Sequence, residues 1–125
     1  MKKEIISADA QSAKGLLSQA IEANGFIFTA GFIHMDEEGN MVEGSVEEKF
    51  KRVMLNIENV LSAAGSNLDD IVKVTIYVTD LSILAELNKL YVTYFTEPLP
   101  AREAIGVKEL PLGATIEISV TAIKN

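Results

Sequence analysis

The chain has 125 residues, no cysteine and a formal net charge of −7. This length predicts one domain, over residues 1–125, with a core that needs no disulfides, and the lack of cysteine excludes thiolate nucleophiles and cysteine-ligated metals. An acidic chain with 11 Lys and Arg residues is poorly suited to binding nucleic acid. No apolar run reaches the roughly 18 residues of a membrane span and no secretory signal is visible, so we expect a soluble cytoplasmic protein.

The first part of the chain is predicted to form strands. A short strand at residues 5–6 is followed by strands over 16–23 and 26–33, the last of which is rich in aromatic and β-branched residues. Gly31 interrupts this third strand. A glycine at such a position indicates a bulge or a close approach of the backbone to a ligand.

Two helices are predicted from apolar residues at helical spacing. Ser45 and Glu48 form a capping box at the start of the first helix, and Gly65 is suited to ending it. Asp80 is a good N-cap for the second helix, which Pro98 terminates. The apolar stripes are Phe50, Val53, Met54, Ile57, Val60, Leu61 and Ala64 in the first helix and Ile83, Leu84, Leu87, Leu90, Tyr91, Tyr94 and Phe95 in the second.

The remaining strands complete an α+β fold. Residues 71–78 and 114–123 alternate apolar with polar side chains, and the segment 100–118 contains a further short strand. The predicted order is β-β-β-α-β-α-β-β, a single mixed β-sheet with two helices packed on one face, above Val72 and Ile116. The opposite face presents Thr75, Tyr77, Glu117, Ser119 and Thr121. This face is too polar for a second core, and we expect it to contact another subunit.

Arg102 and Glu117 are the main candidates for chemistry, and their spacing allows them to lie on neighbouring strands. A guanidinium is a planar two-donor fork that matches a carboxylate. A carboxyl group in an apolar setting has a raised pKa and can act as a base or orient water. Purely structural alternatives are ion pairs of Arg102 with Glu103 or Glu109, or of Glu117 with Arg102 or a lysine. The functional hypothesis requires both groups to share one cleft between protomers.

His34 is the only histidine. One histidine cannot supply the ligand set of a zinc site, and no serine has the context of a nucleophile elbow for a Ser-His-Asp arrangement. We therefore expect His34 to be a structural residue at a hairpin edge. The glycines do not have the spacing of phosphate-binding loops.

Motifs along nearly the whole chain form a joint pattern. They are the segments 15–20, 29–31, 56–61, 63–65, 70–81, 87–88, 100–102, 110–111 and 116–118, with Tyr91, Phe95 and Val107. Collectively they resemble the RidA (YjgF/YER057c) family of imine deaminases. The resemblance implies a chorismate-mutase-like α+β fold and a homotrimer with a site at each subunit interface.

The resemblance also implies an activity without metal or organic cofactor. Active members of the family hydrolyse 2-imino acids, which pyridoxal-phosphate enzymes release, to 2-oxo acids and ammonia. By this resemblance Arg102 would bind the substrate carboxylate and Glu117 would position the attacking water, while Gly31 and Asn88 would line the pocket. An iminium carbon is already electrophilic, so orientation, an anion clamp and a carboxylate suffice.

Three pocket positions depart from the family pattern. Leu17 stands where the family usually has tyrosine, Phe32 where it has glutamine, and Ala104 where it has cysteine. Loss of the phenolic hydroxyl removes a polar contact worth about 1 kcal/mol. Leu17 and Phe32 are expected to reshape the pocket toward bulkier or more apolar imines, or to mark a different activity.

Two other specific functions stay open at this point, beside a protein–protein or chaperone-like role that would leave no compact signature in the sequence. The same Arg102 clamp could hold a 2-oxo acid without turnover, as a ligand-binding module. Ribonuclease activity is the third alternative, and the acidic charge and the lone His34 argue against it.

Overall fold

The computed structural model describes residues 1–124 as one sheet and two α-helices. The strands are β1 (Lys3–Ile5), β2 (Ala20–Ala23), β3 (Phe26–Thr29), β4 (Phe32–Ile33), β5 (Ile71–Val78), β6 (Ala101–Gly106) and β7 (Ile116–Ile123), and the helices are α1 (Val46–Ala63) and α2 (Leu84–Tyr91). The predicted order of elements is confirmed, except that the third predicted strand is split into β3 and β4.

The sheet is mixed, as predicted. Its strand order is β1-β2-β3-β7-β5-β6, and β4 also pairs with β7. Strands β5 and β6 run parallel, whereas the other pairs are antiparallel. Because α2 connects β5 to β6, these elements form a β-α-β unit, and β5 separates β6 from β7.

Both helices pack on one face of this sheet, which confirms the predicted α+β architecture. Phe50 of α1 and Leu87 of α2 are fully buried in one cluster with Ile76 of β5 and Ile118 of β7. Burying an apolar side chain of this size stabilises the fold by about 1.5–3 kcal/mol. On the opposite face of the sheet, Phe28 of β3 is exposed.

The predicted ends of α1 are confirmed, whereas α2 ends at Tyr91 and is followed by a 3-10 turn, so the prediction that it continues to Pro98 is wrong. The Ser45 hydroxyl accepts from the Glu48 amide at 3.1 Å, and the Glu48 carboxylate accepts from the Ser45 amide at 3.3 Å. Gly65 follows α1 with a φ of +78°. Asp80 accepts from the Ser82 amide at 2.9 Å, so it caps a short 3-10 turn before α2 rather than α2 itself.

The predicted strand over 16–23 is wrong in its first half. Strand β2 begins at Ala20. The amides of Leu16 and Leu17 instead donate to the Ala13 carbonyl at 3.1 and 3.2 Å, in a turn. These amides are therefore not available to a sheet.

The position predicted for Val72 beneath the helices is also wrong. Strand β5 has an irregular register between Ile71 and Lys73, where two steps along β5 match one step along β7. This bulge shifts the alternation of side chains, so Ile71 is buried and Val72 is exposed. The same expectation for Ile116 is confirmed, since its side chain is fully buried.

Candidate functional site

Glu117 lies on β7, on the sheet face that the helices leave open. Its backbone partners are Tyr77 of β5 and Ile33 of β4. Burial raises the pKa of the Glu117 carboxyl group above its ordinary value of 4.5. Among residues 1–124, none donates a hydrogen bond to this carboxylate or forms an ion pair with it. The carboxylate is therefore partly desolvated and free to accept a proton or orient a water molecule.

Gly31 has no side chain, and this leaves the space that the Glu117 carboxylate occupies. A Cβ atom at position 31 would lie 2.8 Å from the Glu117 Cδ and would overlap one of its oxygens. A bulge or a close approach to a ligand was expected at Gly31, and the group that lies close to it is instead a side chain of the same chain. Only a residue without a Cβ leaves the carboxylate in this position.

Arg102 lies on β6, at the edge of the sheet, and faces α2. Its Nη2 donates to the Asn88 Oδ1 at 2.6 Å, and its guanidinium carbon lies 4.6 Å from the centre of the Tyr91 ring. Glu103 pairs with Lys73 at 2.9 Å instead of with Arg102. No acidic residue of the described chain forms an ion pair with Arg102, so the structural alternatives for it are wrong. The guanidinium retains free donors for an anion.

Arg102 and Glu117 do not meet within one chain. The expectation of neighbouring strands is wrong, because β5 lies between β6 and β7. On β5, Arg102 pairs in register with Val74 and Glu117 pairs with Tyr77. Val74 and Tyr77 are three residues apart, and side chains alternate along a strand, so Arg102 and Glu117 point to opposite faces of the sheet. Two strand spacings and three residue steps separate their backbones by about 14 Å. A cleft that contains both groups therefore requires Arg102 from one protomer and Glu117 from another.

The other predicted pocket residues fall into different surroundings. Ala104 lies on the same side of β6 as Arg102 and packs against the core. Leu17 is 48% exposed and lines a cavity of about 540 Å³ beside Ser12 and Gln19. The Phe32 side chain is 2% exposed and belongs to the core. The expectation that Phe32 shapes the pocket directly is therefore wrong for its side chain.

His34 is a fully buried structural residue rather than an edge residue. Its Nδ1 donates to the Val42 carbonyl at 2.9 Å, and its Nε2 accepts from the Thr115 amide at 3.0 Å. These partners require the neutral ring with the proton on Nδ1. Burial is the main cause that lowers the pKa of His34 below 6.5.

Sequence reasoning missed the contact between Tyr91 and Arg102. Tyr91 was assigned to the apolar stripe of the second helix and to the family pattern, but not to the site. Its spacing of three residues from Asn88 places both on one side of α2, which is the signal that could have revealed a shared partner.

Residues 1–124 contain neither a group of side chains that could hold a metal ion nor a membrane-spanning helix. These residues contain no group of three or more His, Asp or Glu side chains that could hold a metal ion. None of the helices they form is long and apolar enough to cross a membrane.

Comparison with known proteins identifies the family. The family model described as Endoribonuclease L-PSP matches residues 7–124. A RutC family protein of Pyrococcus abyssi is 44% identical over all of both chains. The 2-iminobutanoate/2-iminopropanoate deaminase of Rattus norvegicus is 37% identical, over all of this chain and 92% of its own.

The fold agrees with that comparison. The crystal structure of E. coli TdcF with bound serine superposes with a TM-score of 0.91 at 26% identity, over 98% of this chain and 99% of that one. The family match and the names of the relatives agree with the resemblance found in the sequence. The chain belongs to the Endoribonuclease L-PSP family, which includes the RidA proteins and their imine deaminases.

Proposed function

We propose that the protein hydrolyses small 2-imino acids to 2-oxo acids and ammonia, in a homotrimer with its sites at the subunit interfaces. Arg102 of one protomer binds the substrate carboxylate, and Glu117 of the next directs water to the imine carbon. The observation that supports this most is the Glu117 carboxylate, which is partly buried beside Gly31 and has no donor among residues 1–124. A carboxylate kept in this state is costly for stability and suited to proton transfer.

The chemistry needs one proton carrier. Glu117 accepts a proton from water as the new C–O bond forms at the iminium carbon. It passes this proton to the nitrogen, and then accepts the hydroxyl proton as the C–N bond breaks. Ammonia leaves, a 2-oxo acid remains, and the protonated carboxyl group returns its proton to solvent. The raised pKa of Glu117 brings the carboxyl group closer to the operating pH, which favours both transfers.

The names of two relatives support the substrate class. The rat relative is named for the deamination of 2-iminobutanoate and 2-iminopropanoate. TdcF, of the same fold, was crystallised with serine, which carries a carboxylate beside a nitrogen-bearing carbon. A substrate of this kind fits the Arg102 guanidinium, which has unused donors and forms no ion pair with an acidic residue of the described chain.

A coupled assay tests the proposal. Threonine dehydratase generates 2-iminobutanoate, and semicarbazide traps the imine before spontaneous hydrolysis. We expect the wild-type protein to lower the yield of trapped product, and Arg102→Ala and Glu117→Gln to restore it. Unchanged trapping with the wild-type protein, or full activity of Arg102→Ala, would overturn the proposal.

A binding module without turnover is the second candidate. Leu17 favours it, because the chain lacks the tyrosine hydroxyl that the family usually has at this position. In that case calorimetry would detect tight 2-oxobutanoate binding that depends on Arg102, while the trapping assay would show no effect.

The family description also names an endoribonuclease. The net charge of −7 disfavours binding to a phosphate backbone. The only histidine is fully buried and engaged in two hydrogen bonds, so it is unavailable as a general base. RNA cleavage that persists through purification and disappears in Arg102→Ala would support this function instead.

A further inference from the structure

We propose that Tyr91 is a positioning residue for Arg102, and that the face of its ring holds the guanidinium ready for the substrate carboxylate. This inference rests on the proposed function, since it assigns Arg102 to carboxylate binding. It adds a residue to the site whose side chain would not itself touch the substrate.

Two contacts in different directions fix the guanidinium. The Tyr91 ring lies 4.6 Å from its central carbon, and the Asn88 Oδ1 accepts from one terminal nitrogen at 2.6 Å. A contact at the carbon alone would leave the group free to turn about that point. The second contact removes this freedom, so the direction of the remaining donors is set before a ligand arrives.

The Tyr91 ring is itself held rigidly by its surroundings. Tyr91 is only 6% exposed, and its ring packs against Phe95 with centroids 4.7 Å apart. Asn88 and Tyr91 lie three residues apart in α2, so one helical surface presents both contacts. Arg102 comes from the adjacent end of β6 and is only partly buried, which leaves its other side accessible.

This arrangement suits an anion clamp. A long arginine side chain loses rotamer freedom when it binds a ligand, and a preorganised side chain loses less. A guanidinium has five N–H donors, and a single one is engaged by a described residue, so about four stay available for a bidentate carboxylate.

The ring, rather than the hydroxyl, is the functional part of Tyr91. The hydroxyl oxygen is buried and has no hydrogen-bond partner among the described residues. Phenylalanine should therefore replace Tyr91 without loss. A ring of equal shape whose face is no longer electron-rich should fail to hold the cation.

The experiment compares Tyr91→Phe with Tyr91→pentafluorophenylalanine, which have nearly equal shape and opposite ring polarity. Calorimetry with 2-oxobutanoate gives the dissociation constant, and the trapping assay gives KM and kcat. We expect Tyr91→Phe to bind as the wild type does. The fluorinated variant should bind about threefold to tenfold more weakly, with a matching rise in KM and little change in kcat.

A second pair of variants separates this effect from loss of packing. Tyr91→Leu removes the ring beside Arg102, and Tyr94→Leu removes a tyrosine that packs edge-on against Phe50. Only Tyr91→Leu should weaken 2-oxobutanoate binding. Equal binding by the wild type and the fluorinated variant would overturn the inference and leave the proposed function intact. Absence of both 2-oxobutanoate binding and imine hydrolysis in the wild type would overturn both.

Discussion

Gly31 lies so close to Glu117 that a side chain at position 31 would occupy the space of the carboxylate. We therefore expect Gly31→Ala to displace the Glu117 side chain, which can rotate away at small cost to folding. Imine hydrolysis should fall at least about tenfold, while the free energy of unfolding changes by less than about 1 kcal/mol.

Gly106→Ala is the matched control for Gly31→Ala. A Cβ atom at position 106 would lie 2.9 Å from Leu81 Cγ, so it also crowds a flexible side chain, but on β6, two strands away from Glu117. Trapping assays and urea unfolding of both variants check the prediction. Full activity of Gly31→Ala would show that the position of the carboxylate does not depend on the glycine.

Glu117→Gln should stabilise the fold at neutral pH while abolishing hydrolysis. Burial raises the folded-state pKa of Glu117 above 4.5. Such a group contributes stability that is fully present below pH 4.5 and is lost as the pH rises through the folded-state pKa. In urea unfolding, the free energy of unfolding of Glu117→Gln should thus exceed that of the wild type at pH 7, and by much less at pH 4. A variant less stable than the wild type at pH 7 would indicate that the carboxylate is paired in the assembly.

Because His34 is buried in its neutral form, we expect the folded protein to lose stability in mild acid. Its folded-state pKa is lowered, mainly by burial, with Lys49 lowering it further and Glu43 acting in the opposite direction. The contribution of the neutral His34 ring to folding stability is fully present above pH 6.5 and is lost as the pH falls through the folded-state pKa. Protonation would also place an N–H at Nε2 against the Thr115 amide.

His34→Gln tests this assignment. The variant should be less stable at pH 7.5 by about 1–3 kcal/mol, because Val42 and Thr115 lose well-placed partners. Its stability should also depend less on pH between 6.5 and 5 than that of the wild type. Parallel pH profiles for the two proteins would contradict the role of His34.

Leu17→Tyr should increase imine hydrolysis. Leu17 is half exposed, so a larger side chain fits without overpacking the core. A restored hydroxyl contact of about 1 kcal/mol corresponds to roughly a fivefold gain in kcat/KM. Leu16→Tyr, at the exposed neighbouring position, should have no effect. Equal activity of Leu17→Tyr and the wild type would remove residue 17 from the site.

Local signals were sufficient to predict the helices and the central strands. The capping box at Ser45 and the apolar spacing after it determine α1, because both act over a few residues. The position of Val72 was not predictable in this way. A bulge opposite β7 moved it out of the core, and the pattern of side chains in β5 alone contains no sign of that pairing.

The site was predicted in its residues but not in its geometry. Sequence proximity suggested neighbouring strands for Arg102 and Glu117. Helix α2 connects β5 to β6, and this connection makes β5 and β6 parallel neighbours. Strand β5 therefore lies between Arg102 on β6 and Glu117 on β7. Phe32 was assigned to the pocket from the family pattern, and that pattern does not reveal that the side chain of this residue is buried in the core.

The central claim is that each site combines Arg102 of one protomer with Glu117 of another. Mixing Arg102→Ala with Glu117→Gln, each inactive alone, and allowing subunits to exchange tests it directly. In a cyclic assembly mixed at random from equal amounts, about a quarter of the interfaces regain both native residues. We therefore predict recovery of about a quarter of wild-type hydrolysis, with unmixed samples of each variant as controls. No recovery, with exchange verified by mass spectrometry, would contradict a shared site.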